Sequence, residues 1–193
     1  MEIILASGSP RRKELMELMA LPFSVRVSRA DETISPSLPP YFTVEQLSLL
    51  KASAVASDIK AEGKNAIVIG ADTVVVFQGD ILGKPTDEAD AKRMLTALSG
   101  NWHSVLTGVT VMDTRTAKSE SFYVETKVHF TQLSEQTIDA YIATKEPLDK
   151  AGSYGIQGKG GLFVDKIDGD YFNVVGLPMC KLSRVLKEEF GIG

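Results

Sequence analysis

Short apolar segments alternate with amphipathic segments along the whole chain, and this alternation limits the possible folds more than any other feature. Residues 3–6 and Ala66–Phe77 have the length and apolar character of buried strands, whereas residues 42–59 repeat apolar side chains at helical spacing. Strands that alternate with helices, with hairpin signals among them, predict an α/β fold: a mixed twisted sheet with flanking helices.

Local signals place the boundaries of these elements. Ser9-Pro10 is a typical helix start, and Asp87 and Ser134 are expected to cap two further helices. We expect Gly70-Ala71-Asp72 to interrupt the strand region Ala66–Phe77. Asp168-Gly169, between strand-like residues 162–167 and 171–175, predicts a β-hairpin.

The remaining elements follow from apolar spacing. Further strands are expected at residues 23–27, 81–82, 102–112 and 121–130, with a loop at residues 31–40. The helix over residues 42–59 is expected to bury Val44, Leu47, Leu50, Ala54 and Val55. A last helix is expected to bury Leu182, Val185, Leu186 and Phe190, and Cys180 is expected to pack in the core.

Size and charge exclude several classes of function. The chain has 193 residues, 25 acidic and 21 basic, for a net charge of −4, which indicates one domain over residues 1–193 and disfavours nucleic acid as a partner. Cys180 is the one cysteine, so internal disulfides and zinc sites with four thiolate ligands are excluded. No apolar run approaches the ~20 residues that span a bilayer, and no signal peptide is evident. We therefore expect a cytoplasmic protein without a membrane partner.

The first candidate site is Ser7-Gly8-Ser9-Pro10-Arg11-Arg12, between a strand and a helix. Two arginines in a first helical turn oppose the helix dipole. A bound phosphate would reverse that cost, because free N–H groups, hydroxyls and guanidinium groups would converge on it. The alternative is a capped helix with solvated arginines.

The second candidate is Asp72, which lies between the apolar runs 67–69 and 74–76. An unpaired carboxylate in such surroundings is costly, so it must be paired or reach a strand end. This placement suits a metal ligand or a general base. A turn in which Asp72 caps the backbone is the alternative.

The third candidate is the glycine-rich segment 146–161, which contains Lys150 and Gln157. Its glycines would allow the backbone to approach a ligand closely, but its spacing fits neither a P-loop nor a dinucleotide-binding fingerprint. A flexible loop and a binding loop both remain open. Glu32, Lys51 and Lys84, each taken alone, are typical of solvated surface charges.

Together and in this order, these segments resemble the Maf family of nucleoside triphosphate pyrophosphatases. The resemblance rests on Leu5-Ala6-Ser7-Gly8-Ser9-Pro10-Arg11-Arg12, Glu32, Lys51, Gly70-Ala71-Asp72-Thr73, Gly83-Lys84-Pro85, Leu98-Ser99-Gly100, residues 147–158 and Gly176-Leu177-Pro178. It implies hydrolysis of a nucleoside triphosphate to the monophosphate and pyrophosphate, with Mg²⁺ or Mn²⁺ as cofactor. It also implies a homodimer and an elongated two-lobed fold, similar to inosine triphosphate pyrophosphatases, with the active cleft between the lobes.

The resemblance also assigns roles. It implies Asp72 as general base or water activator, with Glu32 as the second metal carboxylate. Catalytic support would come from Lys51 and Lys84, and triphosphate binding from Ser7 and Arg11, with Lys150 a weaker candidate.

Base preference follows from three further positions. In the branch that acts on dTTP and UTP these carry Arg, Thr and Gln, which correspond here to Arg12, Thr73 and Gln157. Modified uridine triphosphates are further candidate substrates. A different hypothesis, a nucleotide-binding regulator of cell division or septum formation, stays open beside catalysis.

Overall fold

A computed structural model describes residues 1–33 and 38–193. Part of the loop expected at residues 31–40 therefore lies outside the described residues. The strands are β1 (Glu2–Leu5), β2 (Phe23–Val25), β3 (Ala66–Phe77), β4 (Asp80–Leu82), β5 (Trp102–Asp113), β6 (Ser119–Phe130) and β7 (Val164–Asp168). The helices are α1 (Pro10–Leu18), α2 (Pro40–Ala61), α3 (Glu88–Leu98), α4 (Glu135–Ile142), α5 (Tyr171–Val175) and α6 (Met179–Phe190). Three 3₁₀ turns cover Glu146–Asp149, Ala151–Ser153 and Lys159–Phe163.

The strands form one sheet in the order β2-β1-β3-β5-β6-β7, with β4 paired to β3. β1 runs parallel to both β2 and β3. The pairs β3–β4 and β6–β7 are antiparallel. A mixed sheet with helices between its strands confirms the α/β fold that the sequence predicts.

Two compact units divide the chain. The first unit contains Met1–Asp72, Thr107–Val124 and Gly176–Gly193, and the second contains Thr73–Leu106 and Glu125–Val175. In the first unit α2 covers an apolar cluster with β1 and β3, to which Ile4, Val55 and Val68 contribute. In the second unit α3 and α4 pack around a core that contains Leu95 and Phe130.

The buried face of α2 differs from the expected one. Val44 and Val55 are buried as expected, but Leu50 is 38% exposed, and the rest of the buried face consists of Ser48, Ala52, Ala56 and Ile59. The cause is a close backbone approach: a Cβ at Gly70 would lie 2.3 Å from the Ser48 carbonyl oxygen, and one at Gly108 would lie 2.2 Å from that of Val44. Small side chains and glycines therefore set the distance between helix and sheet.

β3 is continuous, so the expected interruption at Gly70-Ala71-Asp72 is wrong. Asp72 stays within the strand because its carboxylate is paired with a lysine of α2, which removes the cost of an unpaired buried charge.

The hairpin expected around Asp168-Gly169 is also wrong, since Tyr171–Val175 forms α5 and β7 pairs with β6. The buried Thr126 holds the chain just after the turn: its Oγ1 accepts a hydrogen bond from the Asp170 N–H at 3.1 Å. Asn173 Nδ2 then donates to the Val105 carbonyl at 3.0 Å. These tertiary contacts outweigh the local turn signal and direct the chain into a helix.

Two further observations concern α6 and the helices in general. Leu182, Val185 and Leu186 are buried as expected, but Cys180 is exposed rather than packed in the core. No helix among the described residues combines the length and apolar character needed to cross a membrane.

We expect Gly108→Ala to lower the free energy of unfolding by about 1 to 3 kcal/mol or more, because the new methyl group would overlap the α2 backbone. Gly83→Ala is the matched control, since a Cβ at Gly83 meets no atom within 4 Å. Urea denaturation of both variants measures the difference. Equal stabilities would contradict the close contact between α2 and β5.

His103 is a buried titratable group of the second unit. It is 4% exposed, and its Nε2 shares a hydrogen bond of 2.8 Å with the Tyr154 hydroxyl. Its ring meets the Phe130 ring edge-on at 4.9 Å. Burial, and to a lesser degree the neighbouring His129, lowers the pKa of His103 to about 4.

Because the unfolded chain binds a proton at this histidine more readily than the folded chain, stability is complete above pH 6.5 and falls as the pH drops toward 4. The shift corresponds to about 3 kcal/mol at pH 4. We expect His103→Gln, which keeps a hydrogen-bonding amide, to remove this part of the acid sensitivity. Urea denaturation of wild type and variant at pH 7 and pH 4 tests it, and parallel pH profiles would contradict the assignment.

Candidate active site

The turn from β1 to α1 holds a buried serine against an arginine. Ser7 is 7% exposed, and its Oγ accepts hydrogen bonds from the Ser9 N–H at 3.3 Å and from Arg12 Nη1 at 3.2 Å. Ser9 caps α1 by accepting from the Arg12 N–H. The first turn of α1 contains no acidic residue. The positive end of the helix dipole is therefore available to interact with an anion from outside the helix.

Arg12 is held at a second point. Its Nε donates to the Gly176 carbonyl at 2.8 Å. Burial lowers the pKa of Arg12 from its ordinary value, and the negative charge of Asp72 partly opposes that effect. No role for Gly176 is predicted from its own position in the sequence. The Gly176-Leu177-Pro178 block before α6 was the signal that this segment matters.

The parallel pairing of β1 and β3 brings Ser7, just beyond the end of β1, to nearly the same level as Asp72 in the middle of β3. Leu5 lies opposite Ile69, and the Ala6 N–H donates to the Ile69 carbonyl at 2.8 Å. Ser7 and Asp72 follow these paired residues by two and three positions. The carboxyl end of a parallel strand, here β1, is where α/β sheets commonly place ligands, and the longer β3 passes this point with Asp72.

Lys51 joins the two predicted metal carboxylates. Its Nζ lies 2.6 Å from Asp72 Oδ1 and 3.1 Å from Glu32 Oε2. The Lys51 and Asp72 side chains are only 12% and 14% exposed, whereas Glu32 is 53% exposed. One ammonium group therefore lies between two carboxylates, one buried and one open to solvent.

Glycine explains why Lys51 reaches Asp72. Gly70 and Asp72 are two positions apart in β3 and so share a face of the sheet. A Cβ at Gly70 would lie 2.8 Å from the Ala52 nitrogen, directly beside Lys51 in α2. The absent side chain at position 70 lets the helix approach closely enough for the lysine to meet the aspartate.

Five of the predicted site residues, Ser7, Arg12, Glu32, Lys51 and Asp72, are thus linked in the first unit. Arg11 is half-buried in the same helical turn, and its charge lowers the pKa of Arg12. The second unit contains Thr73, Lys84 and Gln157. Lys84 and Gln157 are exposed, and Thr73 faces the opposite side of β3 from Asp72 by strand alternation.

The glycine-rich segment packs against its own chain. Gly152, within this segment, is bonded to the residue before Lys84, because its N–H donates to the Gly83 carbonyl at 3.0 Å. Lys150 Nζ donates to the Glu146 carbonyl at 2.6 Å and to Asp149 at 2.7 Å. Lys150 is therefore engaged in holding the segment, which weakens its candidacy as a triphosphate ligand.

Among the residues that the structure describes, no group of three or more His, Cys, Asp or Glu side chains converges on one point. Glu32 and Asp72 thus offer a pair of carboxylates rather than a closed cage. Two carboxylates completed by substrate phosphates and water are the usual protein ligands of Mg²⁺.

A family model described as Maf-like protein matches residues 2–189. The chain belongs to the Maf family. A dTTP/UTP pyrophosphatase of Bacillus cereus is 55% identical over 187 residues, which cover 97% of this chain and 95% of the relative. One of Bacillus thuringiensis is 54% identical, with 97% of this chain and 95% of the relative covered.

Two solved structures are similar to this Maf chain at a lower level. The Ham1 protein of Staphylococcus aureus is 17% identical with a TM-score of 0.46, covering 67% of this chain and 72% of that protein. The nucleoside-triphosphatase / dITP/XTP pyrophosphatase of Mycobacterium abscessus is 13% identical with a TM-score of 0.43, covering 84% and 93%.

We expect Arg12→Lys to lower the free energy of unfolding by about 1.5 to 3 kcal/mol, because an ammonium group cannot bond to Gly176 and Ser7 in the geometry of the guanidinium. Arg11→Lys is the control in the same turn, since Arg11 makes no hydrogen bond or ion pair to another described residue. Chemical denaturation measures both. A loss as large for Arg11→Lys as for Arg12→Lys would contradict this account of Arg12.

Proposed function

We propose that this Maf protein hydrolyses nucleoside triphosphates between the α- and β-phosphates, with dTTP and UTP preferred, and releases a nucleoside monophosphate and pyrophosphate. The observation that carries the proposal is the contact of Lys51 with both Asp72 and Glu32. The charges of these two carboxylates also interact with the Arg12 guanidinium, which is bonded to Ser7. Carboxylates by themselves repel phosphate and would weaken the binding of a polyanion. Their presence next to cations is therefore explained better by hydrolysis of the polyanion than by binding alone.

Base preference rests on the relatives and on three residues. Relatives that are 54–55% identical bear the name dTTP/UTP pyrophosphatase. Arg12, Thr73 and Gln157 match the pyrimidine pattern of the family at all three positions. A glutamine amide offers both a donor and an acceptor, which fits the N3–H and a carbonyl of thymine or uracil.

A divalent cation fits the two carboxylates. Glu32 and Asp72 present hard oxygen atoms to a common point, where the Lys51 ammonium lies, and we propose that they would hold Mg²⁺ or Mn²⁺. When bound, such an ion supplies neutralisation of phosphate charge. Lys51 is then left to contact the substrate or Asp72.

Phosphoryl chemistry depends on position and charge more than on covalent help. We assign Asp72 as the base that accepts a proton from the attacking water, with Lys51 orienting its carboxylate. Water forms a bond to the α-phosphorus, the bond from that phosphorus to the oxygen that bridges it to the β-phosphorus breaks, and pyrophosphate leaves. Ser7, Arg11 and Lys84 bind the triphosphate in this proposal.

Pyrophosphate release from a panel of nucleoside triphosphates tests the function. We expect release from dTTP and UTP, little from ATP or GTP, loss on chelation and recovery with Mg²⁺ or Mn²⁺. Release of orthophosphate alone would overturn the proposal. Tight nucleotide binding without turnover would instead favour the regulator hypothesis.

Asp72→Asn is expected to reduce kcat by about a hundredfold or more, since general bases contribute at that scale, while far-ultraviolet circular dichroism stays unchanged. Asp58→Asn is the control, because Asp58 is an exposed carboxylate in α2, two helical turns beyond Lys51. Retention of the full rate by Asp72→Asn would exclude Asp72 as the base.

A further inference from the structure

The glycine-rich segment of the second unit is wrapped around one carboxylate. Glu146 Oε2 accepts a hydrogen bond from the Lys159 N–H at 3.1 Å, and Oε1 accepts from the Gly160 N–H at 3.3 Å. The Tyr141 hydroxyl donates to Oε1 at 2.9 Å. Three donors of the protein itself therefore surround Glu146, which leaves it a poor candidate for a metal ligand or a catalytic base.

Tyr141 extends this network to the other side of the turn. Its hydroxyl oxygen accepts from the Gly155 N–H at 3.3 Å, so one hydroxyl connects Glu146 with Gly155. Burial, together with the adjacent Glu146, raises the pKa of Tyr141. The phenol consequently keeps the proton that it donates.

The glycines of the turn are required by these contacts. A Cβ at Gly158 would lie 2.2 Å from Glu146 Oε1, and one at Gly160 would lie 2.7 Å from the Tyr141 hydroxyl. At Gly155 the obstacle would be Lys150 Cε at 2.7 Å. The glycine content thus serves close packing against Glu146, Tyr141 and Lys150.

In a phosphate-binding loop the backbone N–H groups point outward to the ligand. In this segment they point inward. Two successive N–H groups, those of Lys159 and Gly160, bind the carboxylate of Glu146 as such groups elsewhere bind an anion. Burial raises the pKa of Glu146, but these N–H groups and Tyr141 outweigh it and hold the pKa below its ordinary value. The carboxylate is therefore charged at neutral pH, and the hydrogen bonds are charge-assisted.

Gln157 lies between the anchored positions. Gly155 precedes it by two residues and Lys159 follows it by two, and both are bonded to the Tyr141–Glu146 pair. The Gln157 side chain is exposed and forms no hydrogen bond to another described residue. The Gln157 side chain therefore extends outward from a backbone that is fixed on both sides.

We propose that Glu146, acting with Tyr141, is a positioning residue for base selection, which fixes the backbone of the turn at residues 155–160 and so the position from which the Gln157 side chain reaches a base. This inference rests on the proposed function, in which Gln157 reads the pyrimidine edge. It adds that selectivity depends on a carboxylate that touches neither base nor phosphate. A fixed backbone limits the side-chain conformations from which the Gln157 amide can reach a base, so a base with a different edge gains less from the contact than thymine does.

Glu146→Gln tests the proposal with little change of shape. The new amide nitrogen would face a backbone N–H, so a donor would meet a donor. We expect KM for dTTP to rise about tenfold, as for loss of a charge-assisted hydrogen bond, with kcat within about twofold. We also expect the preference for dTTP over CTP to fall by a similar factor, because cytosine reverses the donor and acceptor of thymine.

Two controls separate positioning from general destabilisation. Leu106→Ala opens a cavity at a buried position of the same unit, outside the apolar cluster that contains Tyr141 and packs against Ile156, and should leave KM and the dTTP:CTP preference at wild-type values. Tyr141→Phe removes the hydroxyl alone and should change both quantities in the same direction as Glu146→Gln, but less.

Hydrogen–deuterium exchange gives a readout that does not depend on turnover. In Glu146→Gln the amides of Gly155, Lys159 and Gly160 should exchange at least tenfold faster, with the amides of β5 and β6 unchanged. Wild-type exchange rates in the variant, or unchanged KM and selectivity, would overturn the positioning role. Wild-type protein that releases no pyrophosphate from dTTP would instead overturn the proposed function, and the exchange result would still show whether Glu146 holds the turn.

Discussion

The pairing of Lys51 with Asp72 is the interaction on which the candidate site depends. A carboxylate within a buried strand would be too costly without a partner, and the ammonium at 2.6 Å removes that cost. The pair forms because Gly70 has no side chain that would hold the backbone of α2 away from β3. Packing and charge are thus coupled: a glycine sets the helix–strand distance, and that distance delivers the cation.

Glycine has the same function elsewhere in the molecule, although its surroundings differ. Gly108 admits the backbone of α2 against β5, and Gly158 admits the carboxylate of Glu146 against the turn that contains Gln157. Neither position serves flexibility. In both places a missing Cβ brings two parts of one unit close enough for backbone or charge contacts that a larger residue would prevent. The glycine-rich segment is consequently an ordered support for Gln157, and its N–H groups are engaged within the chain.

Local patterns predicted most of the elements and failed where distant residues decide. Ser9, Asp87 and Ser134 cap helices as expected, because capping needs only neighbouring residues. The Asp168-Gly169 signal failed because Thr126 and Val105, some forty to seventy positions away, hold the following residues in a helix. The buried face of α2 was misjudged for a similar reason, since no local pattern reveals which glycines it crosses. The single domain, the homodimer and the cytoplasmic location stay predictions.

The sequence by itself identified the candidate site residues, because the Maf blocks occur in order and supply Ser7, Arg12, Glu32, Lys51 and Asp72. It also determined the α/β class, since apolar spacing reports strands and helices directly. Only the tertiary structure decided which of these groups touch. The contact of Lys51 with Asp72, the bond from Arg12 to Gly176 and the enclosure of Glu146 join segments from 13 to 164 positions apart. Such contacts depend on interatomic distances set by packing, which no local pattern encodes.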